Sequence, residues 1–340
     1  MSLLVEEGVS LGSLTTLKTG GTARYYVSVR TLEELKTAVA FAQQKTLPFF
    51  VVGIGSNLLA PDSGYQGVII RMDIKGRNFD ETNGGTVVAT FGAGEVLDDV
   101  IADTVERGYW GLENLSYIPG TIGATPIQNV GAYGVEVSEL VTEVQVYDTE
   151  AQEYLNFSPA DCLFGYRDSI FKTPVAKKYI ITSVTFNLTT VPTPRLSYAS
   201  LQTEFENTRV TQQIIRAKII SIRNTKFPDW RTVGTAGSFF KNPIIPRNQA
   251  GILLQKYPDI PTYYDDNGNA KVLLGYILDK ICGLRGYTKG HVHLHPAQAL
   301  VLVAKPGSTT HDIELFADEI RLKVFEKTNI DIDYEVTKIL

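Results

Sequence analysis

The sequence predicts an α+β protein of more than one domain, and three observations carry that reading. Over the first ~190 residues short strand-like runs alternate with a few amphipathic helices. Beyond Pro228 the pattern turns mostly helical, with one apolar strand, AQALVLVA, between two of the helices. At 340 residues the chain is long enough for several hydrophobic cores.

Taken in order, TLEELKTAVAFAQQK (31–45) predicts a helix whose start is marked by Thr31 and Glu34 as a capping box. LPFFVVGIGSNLL predicts a strand running into a Gly-rich bend, and GVIIRM and TVVATFGAG predict further strands. VLDDVIADTVERG reads as a helix stopped by Gly108. Strands follow at VTEVQVYD and YIITSVTFNL, then a helix at TQQIIRAKIISIRNT. Pro192, Pro194 and Pro228 are punctuation, and a domain boundary is placed near 226–230. AGILLQKYP, LLGYILDKICG and THDIELFADEIRLKVFEKT read as helices, and the closing NIDIDYEVTKIL alternates as a strand that rejoins earlier structure.

Lys and Arg number 32 against 37 Asp and Glu, a net charge of −5. That balance argues against a nucleic-acid partner held by phosphate neutralisation, while allowing a local basic pocket for a small phosphorylated ligand. Two widely spaced cysteines, Cys162 and Cys282, make neither a disulfide framework nor a zinc knuckle and fit a reducing cytoplasm. No basic, then apolar, N-terminal pattern reads as a secretory signal, and no apolar run is long enough to span a membrane.

Gly53-Ile54-Gly55-Ser56-Asn57-Leu58 follows a strand and invites a dinucleotide reading, but Leu58 stands where the third fingerprint glycine belongs. Gly92-Ala93-Gly94 fails the same test at Leu97. Such turns can still cradle phosphate through backbone amides, or simply close a strand. IPGTIGATPIQNVGAYG (118–134) holds four glycines and two prolines, with Gln128, Asn129 and Tyr133 its strong side-chain hydrogen-bonders. Small residues of this kind let backbone approach a flat ligand closely; a structural loop is the alternative.

Tyr166-Arg167-Asp168 offers either bidentate carboxylate recognition by the arginine or a surface ion pair. Lys226, Arg231, Ser238, Lys241 and Asn242 make a donor-rich group suited to phosphate or sugar hydroxyls, or a solvated basic face. Ser238 lies in VGTAGSFFKNPII without the Gly-x-Ser-x-Gly elbow, which weakens a nucleophile role. His291, His293 and His295 alternate, but no carboxylate nearby in sequence completes a metal site, and YYDDNGNAK lacks the acidic spacing of a calcium loop. No metal is therefore expected. Glu335, aligned with Asp331 and Asp333, is either a half-buried protonatable group or the polar side of an edge strand.

Taken together, GIGSNLL, GLENLSYIPGTIGATPIQNVGAYGVE, FGYRDSIFK, NTKFPD, AGSFFKNP, QALVLV and DYEV closely resemble, in order and over nearly the whole chain, the UDP-N-acetylenolpyruvoylglucosamine reductase (MurB) family. The resemblance implies an FAD-binding domain of the vanillyl-alcohol-oxidase type over 1–227, in two lobes of approximately 1–72 and 73–227. It further implies a C-terminal α+β substrate-binding domain over 228–329 and a strand at 330–340 returning to the active site. It implies FAD as cofactor, NADPH as co-substrate, and an enolpyruvyl sugar nucleotide that takes the place of NADPH at one shared site, in cytoplasmic peptidoglycan precursor synthesis. Hydride reaches C3 of the enolpyruvyl group from the flavin; Arg167 and Glu335 stabilise the resulting enolate, and Ser238 protonates C2. Glu335 serves as a donor there only if its surroundings keep it protonated.

By the same resemblance the cofactor lies against Gly53, Ile54, Gly55, Ser56, Asn57, Leu58, Ile118, Pro119, Gly120, Gly123, Ala124, Gly131 and Tyr133. Tyr166, Tyr198, Lys226, Asn242, Tyr263, Arg285 and Gln298 match substrate contacts, with Tyr198 typical of the type I branch. The chain departs from the pattern at Arg285, where some relatives have lysine, at Thr337, where some have arginine, and at Thr15 or Thr16, where Asn-Thr is common.

Overall fold

The computed structural model describes residues 3–205 and 210–340. Its contacts sort the chain into two units. The first holds the described residues up to Gly8 with Arg24–Ile54 and Gln66–Arg223; the second holds Val9–Ala23, Gly55–Tyr65 and Asn224–Leu340.

Two larger sheets and the helices Leu32–Gln44 and Leu97–Glu106 frame the first unit, which also holds the helices Ala199–Glu204 and most of Gln212–Lys226 and the short strand pair Gly131–Ala132 with Val135–Glu136. A four-stranded sheet runs in the order Glu6–Ser10, Thr22–Val29, Tyr65–Met72, Phe49–Val52, its last pair parallel with Phe49 opposite Val68. The helix Leu32–Gln44 begins where Thr31 Oγ1 accepts the Glu34 amide at 3.1 Å, while the Glu34 carboxylate takes the Arg30 amide at 2.6 Å. The capping pair therefore forms with its return bond one residue early. Leu35, Ala38, Val39 and Ala42 recur at helical spacing and are buried.

The second sheet of this unit is antiparallel and five-stranded, in the order Glu153–Phe157, Val141–Asp148, Tyr179–Thr189, Thr86–Gly92, Arg77–Glu81. The helix Leu97–Glu106 buries Val100, Ile101 and Val105 and gives way to Gly108 at φ +78°. Val27, Leu35 and Ile70 from around the first sheet share one core with Phe91, Val144 and Phe186 of the second. Each such side chain contributes about 1.5–3 kcal/mol by leaving water, so the loops rising from both sheets rest on one rigid base.

A four-stranded antiparallel sheet organises the second unit, in the order Gly234–Ser238, Val301–Ala304, Val292–Leu294, Thr288–Lys289. Beside it stands a three-stranded sheet in the order Ile244–Pro246, Asn269–Val272, Thr262–Tyr264. The helices are Arg247–Lys256 and Thr310–Thr328, and the run after Leu273 is one α turn followed by a π turn at Ile277–Ile281. The early segments are integral here. Leu17 and Leu59 lie in the same core as Phe239, Phe240, Leu278 and Phe316. The Asp62 carboxylate accepts the Thr310 and His311 amides, both at 2.9 Å, at the start of the last helix.

The closing residues differ from the continuous strand their alternation predicts. Pairing is confined to a bridge between Tyr334 and Phe240 and a short parallel pair of Thr337–Lys338 with Leu58–Leu59. Ile330, Ile332 and Val336 alternate because each is buried in the core, which requires an extended chain but not a partner along its length.

Candidate active site

In the second unit, three segments far apart in sequence form a hydrogen-bonded ladder around Ser238. The strand Gly234–Ser238 pairs with Val301–Ala304 with a register shift between Thr235 and Ser238. The shift is made by Gly237, whose φ of +72° lies in the left-handed region, and a Cβ there would meet nothing within 4 Å. Glycine is thus required for its backbone freedom and not for space. Phe239 and Phe240, both fully buried, pin the residues that follow, their rings 5.3 Å apart, and Tyr334 packs edge-on to the first at 5.3 Å and tilted to the second at 5.6 Å.

The Glu335 amide donates to the Phe239 carbonyl at 2.8 Å, so Glu335 sits beside the chain immediately after Ser238. Asn57 Nδ2 donates to the Glu335 carbonyl at 3.0 Å, and the Asn57 carbonyl accepts the Thr337 amide at 2.9 Å. Ser238, Glu335 and Asn57 are brought together in this way. Asp331 and Asp333 are exposed, whereas Glu335 is half-buried.

The other matched residues of this unit lie on separate elements. Asn242 Oδ1 accepts the Leu274 amide at 3.0 Å and so holds the turn before the π segment. Arg285 donates from Nε to the Pro296 carbonyl at 2.6 Å and lies 3.5 Å from Asp279. That places its guanidinium two residues from Gln298, whose Oε1 lies 3.5 Å from where a Cβ on Gly275 would stand. Tyr263 is exposed opposite Lys271, whose Nζ lies 5.9 Å from its ring, and Lys226 ends the helix Gln212–Lys226 half-buried.

The first unit carries Arg167 and the Gly-rich run. Tyr166 and Arg167 occupy the corners of a two-residue turn closed by Gly165 and Asp168, with Arg167 at φ +53°. The Arg167 guanidinium donates to the Gly131 carbonyl at 2.7 Å, and the ring of Tyr166 lies 5.6 Å from it. Tyr117, Asn129 and Tyr133 share the left-handed region with Arg167. Non-glycine residues rarely adopt it, and where they do they concentrate at functional sites.

Gly53 and Gly123 mark tight crossings. A Cβ on Gly53 would come within 2.4 Å of Thr121 Oγ1, and one on Gly123 within 2.6 Å of the Ala93 Cβ. Between these loops opens a cavity of about 100 Å³ lined by Gly53, Ala93, Thr121, Gly123, Ala124 and Ile127 among others. Gly120 accepts the Leu97 amide at 3.0 Å, and Ile118 and Pro119 are half-buried beside it.

Three residues not assigned a role from the sequence prove structural to this half. Asn129, buried, donates to Glu136 at 2.7 Å and to the Gly165 carbonyl at 3.0 Å, and accepts the Ser138 amide at 3.1 Å. It therefore fixes the turn of Arg167 instead of facing a ligand. Arg223 donates to the Tyr117 carbonyl at 3.0 Å and bonds Tyr133; burial pulls its guanidinium below the usual arginine range, and burial also raises the Tyr133 phenol. Asn114, fully buried, bonds two backbone carbonyls. Arg223 had a visible signal, a cation continuing the apolar spacing of Ile215 and Ile219. Among the described residues no cluster of His, Cys, Asp and Glu could hold a metal ion, and no helix is long and apolar enough to cross a membrane.

Comparison with known proteins adds the decisive observation. The FAD binding domain profile matches residues 23–154, and that of the UDP-N-acetylenolpyruvoylglucosamine reductase C-terminal domain matches 229–339. The reductase of that name from Bacteroides fragilis is 37% identical over 98% of this chain and 100% of its own. The chain belongs to the UDP-N-acetylenolpyruvoylglucosamine reductase family. A Neisseria gonorrhoeae reductase of the same name is 36% identical over 92% of this chain and 91% of its own. The crystal structure of the Thermus caldophilus reductase shares the fold at TM-score 0.67, with 23% identity and full coverage of both chains.

As a member of the reductase family the chain is an oxidoreductase with FAD as its cofactor. The residues present fit that group. The cavity between the Gly53 and Gly123 loops is lined by small residues, Gly53, Ala93, Gly123 and Ala124, together with large apolar ones such as Met72, Phe171 and Ile180, the mostly apolar lining that a cofactor pocket has. In the second unit Thr15 Oγ1 is buried without a protein partner, next to Gly55, where a Cβ would lie 2.7 Å from the Thr15 Cα. A buried hydroxyl of this kind is satisfied by a polar ligand.

Proposed function

We propose that this chain reduces UDP-N-acetylenolpyruvoylglucosamine to UDP-N-acetylmuramate with NADPH as the hydride source, in cytoplasmic peptidoglycan precursor synthesis. Family membership along the whole chain carries the reading: at 37% identity, reductases of that name align with 98% of it. The two cysteines, neither in a disulfide, support the cytoplasmic setting.

FAD, when bound, would supply the hydride chemistry that links NADPH to C3 of the enolpyruvyl group. Arg167 pairs with the substrate carboxylate and holds the negative charge that develops there; its fixed charge and planar fork suit both tasks. The turn that presents it is anchored by Asn129 and Gly131, so little reorganisation accompanies binding. Ser238 delivers the proton to C2, and Glu335 steadies the same enolate. The bond from the Glu335 amide to the Phe239 carbonyl supports a shared location for these two groups. Tyr198, Lys226, Asn242 and Tyr263 hold the nucleotide diphosphate, Tyr166, Arg285 and Gln298 make further substrate contacts, and NADPH uses the same site before the sugar nucleotide enters. The loops at 53–58, 118–124 and 131–133 cradle the cofactor.

The test separates the two half-reactions. The purified protein is expected to be yellow, to bleach with NADPH, and to regain colour anaerobically on addition of the enolpyruvyl sugar nucleotide. Ser238→Ala is expected to bleach at the wild-type rate and to recover at least 100-fold more slowly, the scale of general-acid catalysis. Recovery only with oxygen would point to an oxidase with another substrate. Equal slowing of both half-reactions would remove Ser238 from proton delivery.

A further inference from the structure

We propose that Asn114 is a positioning residue for the nucleotide, acting through Tyr198; the inference rests on the reductase reading above. Asn114 is fully buried, and its Nδ2 donates to the carbonyls of Tyr133 and Arg195, both at 2.8 Å. An amide nitrogen carries two hydrogens, so these bonds use its whole donor capacity. One acceptor lies in the cofactor loop, at a residue held at φ +50°. The other lies three residues before Tyr198, at the end of the exposed stretch that contains Pro192 and Pro194.

Around that bridge the two segments touch again. The rings of Tyr133 and Tyr198 meet edge to face at 5.2 Å. A Cβ on Gly134 would press on Ser197 Oγ at 3.1 Å. Beyond Tyr198 the chain is pinned by Leu201, buried in a cluster with Trp110 and Tyr133. Tyr198 itself stays 42% exposed, so it is presented to solvent between two fixed points. The ion pair of Arg195 with Glu139 joins two exposed side chains and contributes little, while Leu196 packs partly buried against the Trp110 cluster. Asn114 therefore supplies the directional, hydrogen-bonded pin beside the apolar packing of Leu196, and it couples the aim of Tyr198 to the cofactor loop.

The experiment compares wild type, Asn114→Ala, Asn114→Ser, Tyr198→Ala and Asn114→Ala/Tyr198→Ala as flavin-loaded enzymes. Asn114→Ala is expected to raise the KM for the enolpyruvyl sugar nucleotide at least fivefold, while flavin content and the limiting rate of reduction at saturating NADPH stay within twofold. The double variant should show no further rise over Tyr198→Ala alone, because the two residues act through one contact. Amide hydrogen exchange over residues 195–198 should quicken at least tenfold in Asn114→Ala, a readout that needs no turnover. Asn114→Ser, which keeps one donor, should fall between, and it carries the test if the alanine variant does not fold. An unchanged KM with unchanged exchange overturns the proposal. So does loss of flavin before any effect on KM, which would confine Asn114 to the cofactor loop, and so does a KM effect that multiplies with that of Tyr198→Ala. If the wild type fails to act on the sugar nucleotide, the functional reading falls, while hydrogen exchange still decides whether Asn114 pins the segment.

Discussion

Gly237→Ala isolates the cost of the bend that delivers Ser238. The native φ is +72°, and a Cβ at that position meets no atom within 4 Å. Steric overlap therefore contributes nothing, and the whole penalty is that of placing an L-residue in the left-handed region, about 1–2 kcal/mol. Asparagine tolerates that region better, so Gly237→Asn should lose less than Gly237→Ala. Gly234, three residues earlier, provides the contrast: its φ is not left-handed, but a Cβ would stand 2.4 Å from the Leu17 carbonyl oxygen. Gly234→Ala forces backbone apart in a packed core and should be the most damaging of the three. Midpoints of urea unfolding at constant slope give the order, and single-turnover flavin reoxidation by the enolpyruvyl substrate shows whether Ser238 has moved. Equal losses for Ala and Asn at position 237, or a milder effect at 234, would refute the conformational explanation.

Two further outcomes follow from titrating groups. Bonds from Lys289 and Tyr287 hold the Glu319 carboxyl down to about 2, against a smaller opposing effect of burial. A depressed carboxylate contributes stability above its unfolded pKa of about 4.5 and loses it as pH falls toward 2. Thermal unfolding between pH 5 and pH 2 should therefore fall less steeply in Glu319→Gln, and an identical pH dependence would exclude the pairing as a source of acid sensitivity. Burial pushes the Cys162 thiol up to about 12, so it should resist iodoacetamide at pH 8 in the native protein and react on unfolding. Mass spectrometry of native and denatured samples reads this directly, and rapid native labelling at Cys162 would contradict its burial.

Much of the frame was legible because it is written in side-chain chemistry. Thr31 and Glu34 announce a helix start, Gly108 a stop, and the spacing of Leu35, Ala38, Val39 and Ala42 a buried face. The tight approach at Gly53 and Gly123 likewise shows in the small residues that allow it. Backbone acceptors leave no such mark. Asn129 and Asn114 read as polar loop residues, because the Gly165, Tyr133 and Arg195 carbonyls they bind are indistinguishable in sequence from any others. The closing segment misled for the same reason: Ile330, Ile332 and Val336 show burial on alternate sides but not whether a partner strand is present. The packing of residues 9–23 and 55–65 with the C-terminal unit is likewise a matter of long-range contact without local signature.

That last arrangement bears on how the chain matures during synthesis. Leu17 and Leu59 belong to the core completed by Phe316 and Val336, and Leu58–Leu59 pair with Thr337–Lys338. At ~5–20 residues per second a ribosome needs tens of seconds to span that gap. Throughout that interval residues 9–23 and 55–65 can bond one another, as the Thr16 amide does to the Gly55 carbonyl, but Leu17 and Leu59 lack the late-made side chains of their core, while the residues of the first unit are already made. Leu17 and Leu59 are thus made early and complete their core late, so exposure of apolar surface during synthesis is expected at these two leucines.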